Sequence, residues 1–195
     1  MNDLPFYVKL GLEHVLDLSA YDHILFLTAL SLPFTFKSWK KVVVLATVFT
    51  ITHCISLALS SYNLIVMDVG LIEFSIPVTI LMTAVLNLLY VKSGKKSSNI
   101  WLHALATAFF GLIHGFGFSN YFKMLVAEVE DKAPPLLGFA AGIEISQIII
   151  VLSVLFISQL ITSFIKIRHN AFISVFSILI ILLTLPMMME TFPFV

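Results

Sequence analysis

The chain has 195 residues, 59% of them hydrophobic and 11% charged, with a mean hydropathy of +1.05. A soluble domain carries roughly 25% charged residues, and the 11 basic and 11 acidic residues here are too few to cover a polar surface. That excludes an ordinary soluble domain, a disordered chain and a basic nucleic-acid binder, and leaves an integral membrane protein with lipids rather than nucleic acid around it.

In chain order, the opening Met-Asn-Asp-Leu-Pro has no basic n-region, and nothing resembles a cleaved signal peptide. Residues 1–19 read as an amphipathic, interfacial N-terminal segment, either lying at the membrane surface or packed as a seventh element. A helix needs about 20 apolar residues to cross the hydrocarbon core. Six stretches qualify, at 20–36, 42–60, 69–91, 99–119, 135–162 and 170–190. The fold class is therefore all-α, a six-span membrane bundle forming a single domain over 1–195.

Charge placement orients these spans. Lys37, Lys40, Lys41, Lys92, Lys95, Lys96, Lys166 and Arg168 fall in the first, third and fifth loops, where no acidic residue occurs. Asp3, Glu13 and Asp17 precede the first span, and Glu128, Glu130 and Asp131 lie in the fourth loop. By the positive-inside rule the odd loops are cytoplasmic and both termini face outward. His169 then reads as a solvated residue of a cytoplasmic loop.

At 1.5 Å per helical residue, sequence position becomes depth. Asp22 and His23 enter at the outer end of span 1, and His53 lies about 18 Å up span 2. Glu73 is near the outer start of span 3, His114 near the outer end of span 4, and Glu144 about nine residues below the outer start of span 5. His14 stands outside and can fold over the same place. Ionisable groups inside spans cost about 2.5–3.5 kcal/mol each on insertion scales, and so mark interior sites. A lone His, however, also serves as a helix–helix hydrogen-bond partner, Glu73 can sit at headgroup level, and Asp22 can cap its helix.

Imidazole plus carboxylate without a thiolate cluster is a donor set for zinc, nickel, cobalt, iron or manganese. Cys54 is the only cysteine, which excludes a disulfide framework or a multi-Cys centre. Asp22 and His23 point about 100° apart on a helix, so one is expected on the ion and the other behind it, a carboxylate orienting an imidazole. Gln147 shares the face of Glu144 as a supporting donor. Gly111, Gly115 and Gly117 surround His114, and Gly138 and Gly142 precede Glu144, spacings that allow close helix contact. Ser75, Thr79, Thr83 and Asn87 repeat every four residues, and His103, Thr107 and His114 share a face. These stripes read either as polar stations on a route inward or as packing contacts between helices.

Four ordered motifs, His14 with Tyr21-Asp22-His23-Ile24-Leu25-Phe26-Leu27, Thr52-His53, Gly111-Leu-Ile-His114-Gly-Phe-Gly-Phe118 and Gly142-Ile-Glu144-Ile-Ser-Gln147, resemble the HupE/UreJ family from about residue 8 to about residue 160. The interval between His14 and Asp22-His23 is longer than the family's usual one and lacks its Gly. The resemblance implies a multi-pass protein of the bacterial cytoplasmic (inner) membrane that handles nickel or cobalt as a permease or accessory. It also implies His14, Asp22, His23, His53, His114 and Glu144 as ligand candidates.

Two other functions fit the residues. One is an intramembrane zinc-type hydrolase or transferase acting on a lipid at the outer leaflet, with Glu144 or Asp22 as general base. The other is a structural subunit, in a homo-oligomer or a larger membrane complex, whose polar cluster only sets helix packing.

Overall fold

A computed structural model describes residues 4–93 and 100–192. The expected Asp3, Lys95 and Lys96 charges lie outside this range. Among these residues seven α-helices follow one another: α1 Leu4–Leu16, α2 Asp22–Ser31, α3 Trp39–Ser61, α4 Val69–Ser93, α5 Ile100–Leu125, α6 Ala133–Phe164 and α7 His169–Glu190. A single 3₁₀ turn, Phe36–Ser38, leads into α3. Among the described residues there is no β-strand.

Among the described residues four stretches, Phe36–Ser61, Val69–Ser93, Ala133–Phe164 and His169–Glu190, are long and apolar enough to cross a membrane, and less than half of each apolar window is buried within the protein. Their outward faces carry Ile51, Ile55, Leu86, Leu89, Phe156, Ile178 and Leu182, all exposed. Helices apolar on both the packed and the open side belong in lipid rather than water. The 26-residue α5 is as long as these.

The expected first span, 20–36, is realised differently. Its helix, α2, has ten residues, about 15 Å of rise, which is half of a hydrocarbon core. Pro33 accounts for the stop, because it has no N–H to offer the carbonyl four residues back and disfavours helix at Leu32. That carbonyl belongs to Ala29, and Asn87 of α4 donates its side-chain amide to it at 2.8 Å. Asn87→Leu is expected to leave the buried carbonyl unpaired and cost about 1–3 kcal/mol, read as a lower midpoint in thermal unfolding of the detergent-solubilised protein.

The remainder of the serine and threonine stripe on α4 bonds to its own helix: Ser75 to Leu71 O, Thr79 to Ile76 O and Thr83 to Thr79 O. His169 opens α7 partly buried, its ring parallel to Phe172 at 6.4 Å, and so is not the solvated loop residue expected.

The N-terminal helix is part of the bundle. Tyr7, Gly11 and Val15 of α1 are buried, and α1 with α6, and α3 with α5, make the most extensive helix pairs. Glycine makes both possible. A Cβ at Gly142 would strike Val8 O and come within 2.8 Å of Leu12 N and 2.9 Å of Gly11 Cα. One at Gly115 would strike His53 O and Ser56 Oγ. Backbones in such contact need residues without side chains at the crossing. The expected small-residue motifs thus seat α1 on α6 and α5 on α3, and these pairings bring His14 and His114 toward His53.

Candidate metal centre

Four imidazoles converge from four helices. His14 comes from the last turn of α1, His23 from the first turn of α2, His53 from α3 and His114 from α5. Ring centroids are 4.6 Å apart for His14 and His23, 5.7 Å for His14 and His53, 5.7 Å for His23 and His53, and 5.3 Å for His23 and His114. His14, His23 and His53 each offer a ligand atom within 4.8 Å of the others, a spacing that can hold one metal ion. His114 stands beside this trio, against His23.

Hydrogen bonds fix two of the tautomers. Asp22 Oδ1 lies 3.0 Å from His23 Nδ1 and also accepts the His23 backbone N–H at 2.8 Å. Phe110 O lies 2.9 Å from His114 Nδ1. Both partners accept, so Nδ1 carries the proton and Nε2 keeps its lone pair in each neutral ring. A carboxylate behind a histidine in this way orients the ring and raises its basicity. The bend that brings Asp22 onto His23 lies at the helix start, where Asp22 also caps its neighbour's N–H.

The remaining ring nitrogens find no partner within the protein. His14 Nε2, His23 Nε2, both nitrogens of His53 and His114 Nε2 are buried without a hydrogen-bond partner. Buried polar atoms are overwhelmingly bonded, and ion binding is among the standard reasons for exceptions. Five such nitrogens in one place fit a divalent transition metal, and three imidazoles leave a zinc-, nickel- or cobalt-type ion open positions. Asp22→Asn, which removes the charge behind His23, is expected to lower metal affinity about 10–100-fold, measured by competition with a chromogenic chelator.

An aromatic shell closes the centre. Phe118 and Phe139 stack at 5.1 Å and 2°, and the His14 ring lies 4.0 Å from Phe118. Phe26 and Phe49 cover His114 at 5.4 and 5.2 Å. On the His14 side a cavity of about 660 Å³ opens, lined by Glu13, His14, Asp17, Phe118 and Tyr121 among others. The Ser19 hydroxyl and backbone N–H both bond to Asp17 Oδ1 and hold that carboxyl below the usual range.

The two glutamates lie elsewhere. Glu144 is partly buried between α6 and α3, where Thr47 Oγ1 and Thr50 Oγ1 each lie 2.6 Å from one of its oxygens. Gln147 is fully buried beside it, its Oε1 3.3 Å from Thr50 Oγ1. Glu73 is exposed on α4. Neither Glu144, Gln147 nor Glu73 joins the imidazole group, whereas His14, Asp22, His23, His53 and His114 are together. Sequence reasoning missed Thr47 and Thr50, although Thr47, Thr50 and His53 recur every three residues along α3 and so line one side of it.

The HupE / UreJ protein family model matches residues 1–191. The chain belongs to the HupE/UreJ family. No curated protein and no solved structure matches it. HupE/UreJ membership makes this a membrane protein associated with nickel or cobalt, and the imidazole trio is compatible with such an ion. A lipid hydrolase or transferase finds no support here: Glu144, one proposed base, stands outside the imidazole group, and Asp22, the other, is engaged behind His23.

Proposed function

We propose that this HupE/UreJ protein is a nickel/cobalt-type permease of the bacterial cytoplasmic membrane, which takes its cargo ion at the outer face. The observation that carries this reading is the set of five unpartnered imidazole nitrogens drawn from four helices directly beneath an open vestibule. His14 belongs both to the vestibule wall and to the ligand trio. An ion drawn in by Glu13 and Asp17 meets His14 first and is then shared with His23 and His53, His114 lying next in line. Neutral histidines suit a transit site, since imidazole holds a divalent ion such as nickel without adding buried charge of its own.

The orientation proposed is the one with the eight basic residues of the first, third and fifth loops inside and both termini outside, which places the vestibule on the acidic side. Six membrane crossings follow if α1 and the short α2 together make the first of them. The experiment is nickel and cobalt uptake into proteoliposomes. Saturable uptake that disappears in His53→Leu is expected. Absence of flux in folded, metal-binding protein would remove the permease role and leave a metal-handling accessory.

A further inference from the structure

We propose that Glu144, set apart from the imidazoles, is a reversible proton-binding site through which protons couple to metal movement. The donors and acceptors around its carboxyl group accommodate both charge states. Thr47 Oγ1 is 2.6 Å from Glu144 Oε1 and 3.0 Å from Val43 O. Thr50 Oγ1 is 2.6 Å from Glu144 Oε2, and 3.3 Å from both Ala46 O and Gln147 Oε1. Each hydroxyl owns one proton and faces at least two acceptors.

With Glu144 ionised, both threonines donate to it, and each carboxylate oxygen is satisfied. With Glu144 protonated, its own O–H donates to one threonine oxygen. That threonine turns its proton to the waiting carbonyl one turn back, or for Thr50 to the Gln147 amide oxygen, while the other goes on donating to the carboxyl group. The Glu144 carboxyl group is therefore bonded through both oxygens in either protonation state, and the change between them needs only hydroxyl rotation. A carboxylate meant to stay charged within a bundle is instead paired with a cation, and among the described residues Glu144 has no ion-pair partner.

Beside the site the bundle is open on the apolar face that carries Ile51 and Ile55. Thr50 and Cys54 line a groove of about 450 Å³ between α3 and α6, with Ala140 one turn before Glu144 on its opposite wall. Cys54, partly buried on α3, borders the same groove. Neither the threonines nor Gln147 carries charge, and Gln147 Nε2 is buried without a partner, free to bond once its amide turns. Thr50 and His53 occupy one side of α3 a single turn apart, so the proton site and the metal centre share a helix without sharing a ligand.

Coupling to transport rests on the permease reading; the proton site itself does not. The test therefore has two arms. In the first, infrared difference spectra of the metal-free full-length protein across a pH titration are expected to show a protonated-carboxyl C=O band that appears on acidification and is missing from Glu144→Gln. Thr47→Val/Thr50→Val, which cannot donate to the carboxylate, is expected to keep that band to higher pH. In the second arm, nickel uptake into proteoliposomes by the wild type is expected to respond at least tenfold to an imposed pH gradient. Glu144→Gln is expected to bind nickel with unchanged affinity but lose that response. A Glu144→Gln protein that loses no component of the titrating carboxyl absorption of the wild type, or uptake equally gradient-sensitive in Glu144→Gln, would overturn the proposal with the permease reading intact. Absence of all wild-type uptake would overturn the coupling and the permease reading together, and the infrared arm would still decide whether Glu144 takes the proton.

Discussion

Replacing His53 with leucine is expected to abolish tight metal binding while leaving the metal-free protein at least as stable as the wild type. His53 is fully buried, and neither of its nitrogens has a partner. Exchanging a buried, unpaired polar group for an apolar one of similar size is neutral or stabilising, so a thermal unfolding midpoint without metal should hold or rise. The loss appears when nickel or cobalt is added. An ion at 100 times its dissociation constant stabilises the native state by about 2.7 kcal/mol, and that increment should vanish. Affinity should fall by more than about 100-fold, beyond the 10–100-fold typical of losing a supporting residue. A histidine retained only to tie helices together behaves oppositely: its removal destabilises the metal-free protein and does not touch metal content.

Gly142→Val is expected to separate α1 from α6. The new side chain would occupy the space of Val8 O, Leu12 N and Gly11 Cα, which are backbone atoms that cannot turn aside. Overpacking of a close-fitting core costs about 1–3 kcal/mol and more where backbone must move. The functional effect follows from where α1 leads. Three residues beyond Gly11 is His14, so displacement of α1 withdraws one of the three converging ligands. Metal affinity should drop as far in Gly142→Val as in His14→Ala, and the unfolding midpoint should fall in Gly142→Val alone. Affinity unchanged in a folded Gly142→Val protein would show that His14 reaches the ion without this helix contact.

The elements read from the sequence and those of the structure agree best where composition alone decides. Apolar runs bounded by lysines place α3 to α7 near the expected 42–60, 69–91, 99–119, 135–162 and 170–190, because a run that long has no other way to satisfy its backbone in lipid. The first span was legible only in part. Its apolar run continues through Pro33 to Phe36, and hydropathy does not register that proline removes a donor. The N-terminal helix was harder still, since its docking depends on two glycines, Gly11 and Gly142, 131 positions apart meeting face to face.

The same distinction runs through the site. His14, His23, His53 and His114 were legible because imidazoles are rare in such a chain and can be ranked by depth. Glu144 shares their depth and was grouped with them, yet depth says nothing of azimuth. On α6 it points toward Thr47 and Thr50, and the hydroxyls that hold it give no hydropathy signal. The bonding of Asp22 to His23 depends on side-chain turns at a helix start, which a 100° spacing rule does not describe.

X-ray absorption of the nickel- or cobalt-loaded full-length protein at the metal edge tests the central claim most directly. One ion per chain is expected, with the multiple-scattering signature of at least three imidazoles, no sulfur contribution from Cys54, and loss of bound metal in His53→Leu. An ion surrounded by oxygen donors alone, or one retained undiminished in His53→Leu, would contradict a metal centre built from His14, His23 and His53.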